Sequence, residues 1–111
     1  MELLQLFKTI GLFEGLNDDQ LNRLVEISQQ ARYDDGDEII RQGEEGDNFF
    51  IIRQGQVEVI VQRPNKQGSD TKIYLGLGQI FGEMALVDRG ARSASVRCCR
   101  DNTVLSYIKG S

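Results

Sequence analysis

At the start of the chain apolar residues fall three or four positions apart, and further on they fall two apart. That change of period predicts helices followed by strands. Leu3, Leu6, Phe7 and Ile10 share one side of a helical wheel with Gln5 and Lys8 opposite, an amphipathic helix from Met1 to Ile10 that Gly11 stops. Asn17 followed by Gln20 has the form of a capping box, Leu16 is placed to staple onto Leu21, and Asp18 and Asp19 suit the positive end of a helix. Leu21, Leu24 and Val25 form the buried side of this second helix, Ile27 can join them, and the helix fades near Gln29 or Gln30.

From Ala31 the pattern is that of strands. Asp34-Asp35-Gly36-Asp37 reads as a turn, Glu38 to Arg41 as a short strand, and Gln42 to Asp47, with Gly43 and Gly46, as another turn. Phe49, Phe50, Ile51 and Ile52 run without a polar interruption, so the strand from Asn48 to Arg53 should be covered on both faces. Gln54-Gly55 turns the chain into a strictly alternating stretch, with Val57, Val59 and Val61 on one face and Gln56, Glu58 and Gln62 on the outer one, broken only by Ile60. Arg63 to Thr71 carries Pro64 and several turn-forming residues and reads as a hairpin loop. Lys72 to Leu77 alternates again with Ile73, Leu75 and Leu77 inward; Ala94, Val96 and Cys98 share one face of a later strand; Asp101-Asn102 turns into a last strand, Thr103 to Ile108.

Many short strands separated by Gly and Asp turns predict a mainly β fold with flanking α, a sandwich or jelly roll. The 111 residues suffice for one domain. With 40% hydrophobic and 27% charged residues the composition is that of an ordinary globular chain. No apolar run is long enough to span a membrane and no basic stretch precedes an apolar signal core, so a cytoplasmic location is expected, with no membrane contact. Cys98 and Cys99 are adjacent, point to opposite faces of a strand and are not expected to pair.

The chain has no histidine. That removes imidazole-based triads and most transition-metal centres, so neither an enzyme nor a resident metal or cofactor is expected. A net charge of −4 argues against a nucleic-acid surface, which needs a basic stripe. The charge is nevertheless uneven. Arg89, Arg92, Arg97 and Arg100 fall in a stretch without an acid, leaving 17 acids elsewhere in the chain. A local positive field in an acidic chain suits capture of a small anion; Arg97 and Arg100 are expected to face solvent.

Within that region stands Phe81-Gly82-Glu83-Met84-Ala85-Leu86, followed after a short loop by Arg92-Ser93-Ala94-Ser95-Val96. A guanidinium offers a planar fork of donors to a phosphate, a hydroxyl adds another, and a short helix opening near Glu83 would aim free N–H groups at the same anion. Glu83 can only accept, so it suits a sugar hydroxyl. Gly82, Ala85 and Ala94 are small enough to leave backbone N–H groups approachable. Each residue alone would fit a solvated turn; the combination is what points to a sugar phosphate.

The run FGEMALVDRGARSASV, with Gly-Glu-Glu-Gly-Asp and Arg-Gln-Gly-Gln-Val-Glu-Val upstream, resembles the cyclic nucleotide-binding domain family, whose phosphate-binding cassette reads F-G-E-[aliphatic or Met]-A/G-L, a variable loop, then R-[A/S/T]-A. The resemblance implies an antiparallel β-roll, or double-stranded jelly roll, with two N-terminal helices over 1–30, a roll over 31–108 and a cassette with a short helix over 81–96. It implies that Glu83 accepts from the ribose 2′-hydroxyl, that Arg92 pairs with the cyclic phosphate, and that Gly82, Met84, Ala85, Ser93 and Ala94 complete the ligand-binding set. The expected ligand is cAMP, on the likeness of Arg92-Ser93-Ala94 to bacterial sensors. cGMP stays open because the Ser93 hydroxyl could reach a guanine amino group. The domain is expected to serve as the sensor of a larger switch, with an output domain or a homodimer partner. The alternative is a roll kept for protein contact without a nucleotide. A roll-shaped enzyme of the cupin kind would need the histidines this chain lacks. Relatives usually continue into helices that cover the base, whereas these residues reach Ser111 directly after the last strand, so weak discrimination between adenine and guanine is expected.

Overall fold

The structure, a computed structural model, describes residues 2–41, 48–61, 71–82 and 94–109. Helix α1 (Leu3–Lys8) turns Leu3, Leu6 and Phe7 inward, as the spacing predicts, but closes earlier than Gly11: the Thr9 hydroxyl and N–H both donate to the Leu6 carbonyl, and the Ile10 N–H donates to the Phe7 carbonyl. Gly11–Phe13 forms a 3₁₀ turn. Helix α2 (Asp18–Ile27) starts with a complete capping box, in which the Gln20 N–H donates to Asn17 Oδ1 and the Asn17 N–H to Gln20 Oε1, both at 2.9 Å. We expect Asn17→Ala to cost about 1 kcal/mol of stability, read as a lower thermal midpoint. Ile27 does not join the buried side of α2, being 60% exposed, and strand β1 (Gln29–Tyr33) begins two residues ahead of Ala31.

The remaining strands are β2 (Glu38–Ile40), β3 (Asn48–Gln54), β4 (Val57–Val61), β5 (Thr71–Leu75), β6 (Ile80–Phe81), β7 (Ser95–Cys98) and β8 (Thr103–Lys109). They form two antiparallel sheets, in the orders β1-β8-β3-β6 and β2-β7-β4-β5, the expected β-roll. The doubly covered strand is β3. Phe49 and Ile51 enter a core with α1, Phe13, Leu21 and Ile108, whereas Phe50 and Ile52 enter a second core between the sheets with Ile40, Val57, Phe81, Val96 and Leu105. Burying apolar side chains on both faces of one strand ties the helical segment to the roll through a shared backbone.

Three inward or outward assignments made from alternation are corrected. Ile73 and Leu77 are 51% and 59% exposed, because β5 is an edge strand and Leu77 lies in the turn beyond it; Leu75 alone of the three packs against the inter-sheet core. Glu58 does lie on the face opposite Val57 yet is only 7% exposed, for a reason that concerns Arg97.

Candidate functional site

Of the residues assigned to the site, the structure describes the two ends, Gly82 and Ala94; Glu83, Met84, Ala85, Arg92 and Ser93, the cassette helix, Arg89 and the turn at 42–47 lie outside the described residues. The ends belong to different sheets. Gly82 follows β6, at the edge of the first sheet, and Ala94 precedes β7, in the interior of the second. The chain therefore passes from one sheet to the other between these two residues.

The way into the segment is built closely. After β5, Gln79 closes a turn: its N–H donates to the Gly76 carbonyl at 3.0 Å and its side-chain oxygen accepts from the Gly76 N–H at 2.8 Å. The Gly78 N–H donates to the Ile52 carbonyl, and the Ile52 N–H to the Gln79 carbonyl, so β3 holds the turn from below. Leu6 of α1 sits 3.5 Å from where a Gly78 Cβ would be. Ile80 then packs on the helical core and Phe81 on the inter-sheet core. Gly82 has φ of 79°, a left-handed conformation that a side chain would strain, which gives the Gly of the motif a backbone reason.

The way out is equally fixed. Val96 and Cys98 are buried, and β7 is paired on both sides, with β2 and with β4. Register places Arg97 directly opposite Glu58. Its Nε donates to Glu58 Oε1 at 3.0 Å and a terminal nitrogen donates to the same oxygen, which shields the carboxylate and raises the pKa of the guanidinium through that hydrogen bond and charge. Arg97 is thus engaged rather than merely solvated, and Arg100 remains on the exposed surface, with its carbonyl accepting from Thr103 and Cys98. The positive field inferred from four arginines is therefore reduced by one internal neutralisation. Nothing local marks this pair, which are 39 residues apart in sequence; only the β4–β7 register brings them together.

Cys98 and Cys99 are free thiols, the first buried and the second half-buried. Burial, then the nearby Glu58 charge, pushes the Cys99 thiol up. A higher pKa leaves less thiolate at a given pH, so iodoacetamide should modify Cys99 more slowly than a free thiol at pH 8 and gain rate only at higher pH. Rapid labelling of the folded protein at neutral pH would contradict this. Among the described residues no group of His, Cys, Asp and Glu could hold a metal ion, and no helix is long and apolar enough to cross a membrane.

Comparison with known proteins agrees with this architecture. Residues 30–110 match the profile of the cyclic nucleotide-binding domain. The chain is 35% identical over 95 residues to the cGMP-dependent protein kinase egl-4 of Caenorhabditis elegans, covering 86% of this chain but 12% of the kinase. Among solved structures, the Thermus thermophilus catabolite activator protein matches with a TM-score of 0.75 at 30% identity, covering 88% of this chain and 45% of that one. The regulatory subunit of a cAMP-independent protein kinase A from Trypanosoma brucei matches with a TM-score of 0.80 at 26% identity, covering 96% and 38%. The profile runs from β1 to the end of β8 and takes in both ends of the phosphate-binding motif, and on that ground the chain belongs to the cyclic nucleotide-binding domain family.

Proposed function

We propose that this domain binds a 3′,5′-cyclic purine nucleotide, cAMP in the first instance, through residues 81–96, and that it acts in the cytoplasm as the non-catalytic sensor of a larger signalling protein. The observation that carries this is an unbroken phosphate-binding motif, Phe81-Gly82-Glu83 through Arg92-Ser93-Ala94, inside a chain whose roll matches the family from end to end. Arg92 takes the cyclic phosphate by a charge-assisted fork and Glu83 the ribose 2′-hydroxyl. Gly82, Met84, Ala85, Ser93 and Ala94 frame them. The position of its two described ends, Gly82 beside the first sheet and Ala94 beside the second, supports this.

A second reading, cGMP, is favoured by the cGMP-dependent protein kinases among the relatives, such as that of Plasmodium berghei (strain Anka), 37% identical over 106 residues and covering 96% of this chain but 12% of the kinase, and by the hydroxyl of Ser93 beside Arg92. Calorimetric titration with cAMP, cGMP and a cyclic dinucleotide decides between them. No heat with any of the three would favour a roll kept for protein contact.

The role of Glu83 has its own test. Glu83→Gln should weaken binding of the ribose nucleotide while changing that of its 2′-deoxy analogue much less, because only the former loses an acceptor matched to its hydroxyl. Measuring both ligands on both proteins yields the coupling. A value near zero would make Glu83 a folding residue.

A further inference from the structure

Phe50, at 4% exposure, stands on β3 directly opposite two other aromatic residues of the first sheet, Phe81 on β6 and Tyr107 on β8. Its ring is stacked on that of Phe81, with centroids 4.7 Å apart and planes 8° from parallel, and tilted against Tyr107 at 5.8 Å. Tyr107 in turn donates from its hydroxyl to Gln29 Oε1 at 2.7 Å, at the first residue of β1. One row of side chains thus crosses all four strands of the sheet, and it ends on the residue before Gly82.

The bonds of Gly78 and Gln79 to Ile52 fix the start of β6, which has only two residues, and the packing of Phe81 adds to them at the point where the chain leaves the sheet through the left-handed Gly82, with φ of 79°. A parallel ring stack constrains both side-chain torsions of Phe81 and, through them, the backbone from which the motif departs. We propose that Phe50 is a positioning residue for nucleotide binding: acting through the ring of Phe81, it sets the backbone at Gly82, where the phosphate-binding motif begins. The proposal rests on the nucleotide-binding reading given above. Its effect is on the population of binding-competent chains, since apparent affinity falls in proportion to that fraction.

A matched control lies next to it. Phe49 is 0% exposed on the same strand but faces the helical core, its ring 5.4 Å from that of Phe13. The experiment measures thermal midpoint and Kd for cAMP and cGMP in the wild-type chain, Phe49→Leu, Phe50→Leu, Phe81→Leu and the Phe50→Leu/Phe81→Leu double variant. Phe49→Leu and Phe50→Leu should both lower the midpoint, but only Phe50→Leu should raise Kd, by about tenfold, as expected if one chain in ten stays competent. The double variant should bind like Phe81→Leu alone, because Phe50 then has no ring to act through. Equal Kd in Phe49→Leu and Phe50→Leu, or losses that add in the double variant, would overturn the proposal. Should Phe50→Leu fail to fold, Phe81→Leu against Phe49→Leu decides in the same way, by whether only the former weakens binding. A wild-type chain that binds neither nucleotide refutes the functional reading and the proposal together, whereas wild-type binding left unchanged by Phe50→Leu refutes the proposal alone.

Discussion

Arg92→Ala should raise the Kd for the cyclic nucleotide by roughly two to four decades, while Arg97→Ala and Arg100→Ala change it little. Truncating one member of a desolvated charge pair leaves the other uncompensated, which costs about 3 to 5 kcal/mol. Arg97 is already committed to Glu58, so its loss leaves that shielded carboxylate without its donor and should appear as a lower thermal midpoint, with nucleotide affinity kept. Arg100 lies on the exposed surface, and what its residue gives the fold is a backbone carbonyl that Ala supplies equally well. Titration of the three variants checks this. Comparable losses from all three would show that a diffuse positive field, not one guanidinium, holds the phosphate.

Gly55→Ala should be the most damaging small substitution on the described surface of the roll. Gly55 has φ of 91°, and a Cβ there would meet the Thr103 hydroxyl, lie 2.7 Å from the Thr103 Cα and 2.8 Å from its Cβ. Left-handed strain costs about 1 to 2 kcal/mol and forced overpacking about 1 to 3 kcal/mol. Together they should lower the thermal midpoint by roughly 10 to 20 °C. Gly36 supplies the comparison, since its φ is 95° but nothing lies within 4 Å of an added Cβ. Gly36→Ala should therefore cost the strain alone. Equal midpoints for the two variants would mean that the β3–β4 turn can move away from Thr103.

What could be read from the sequence was what depends on near neighbours or on period. The Asn17–Gln20 box is a contact across three residues, and it formed as expected. The run Phe49–Ile52 announced a strand covered twice, and the two cores on its two faces bear that out. Period did not reveal which strand would lie at a margin. Ile73 is paired with Val59, yet it stays half in solvent because, among the described residues, no strand follows β5 in its sheet. Nor could alternation show that Glu58 would be covered, since its partner arrives from a strand whose register is set by the whole roll. The motif at 81–96 was legible from residue order, whereas the aromatic row that ends at Phe81 was not, because Phe50 and Tyr107 become neighbours only across β3 and β8.

The position of β8 bears on how this domain is made in the cell. It lies between β1 and β3, and its Tyr107 bonds a residue 78 positions earlier in the chain. Such a separation makes closure of the first sheet entropically slow and raises the contact order of the fold. On the ribosome, β1 and the apolar run of β3 emerge well before the strand that joins them. Until Lys109 has left the exit tunnel, Phe49 to Ile52 lack their central partner, and the nascent chain offers a chaperone an extended apolar segment. The time needed to synthesise the residues between β3 and the end of β8 therefore bounds how long β3 waits for that partner.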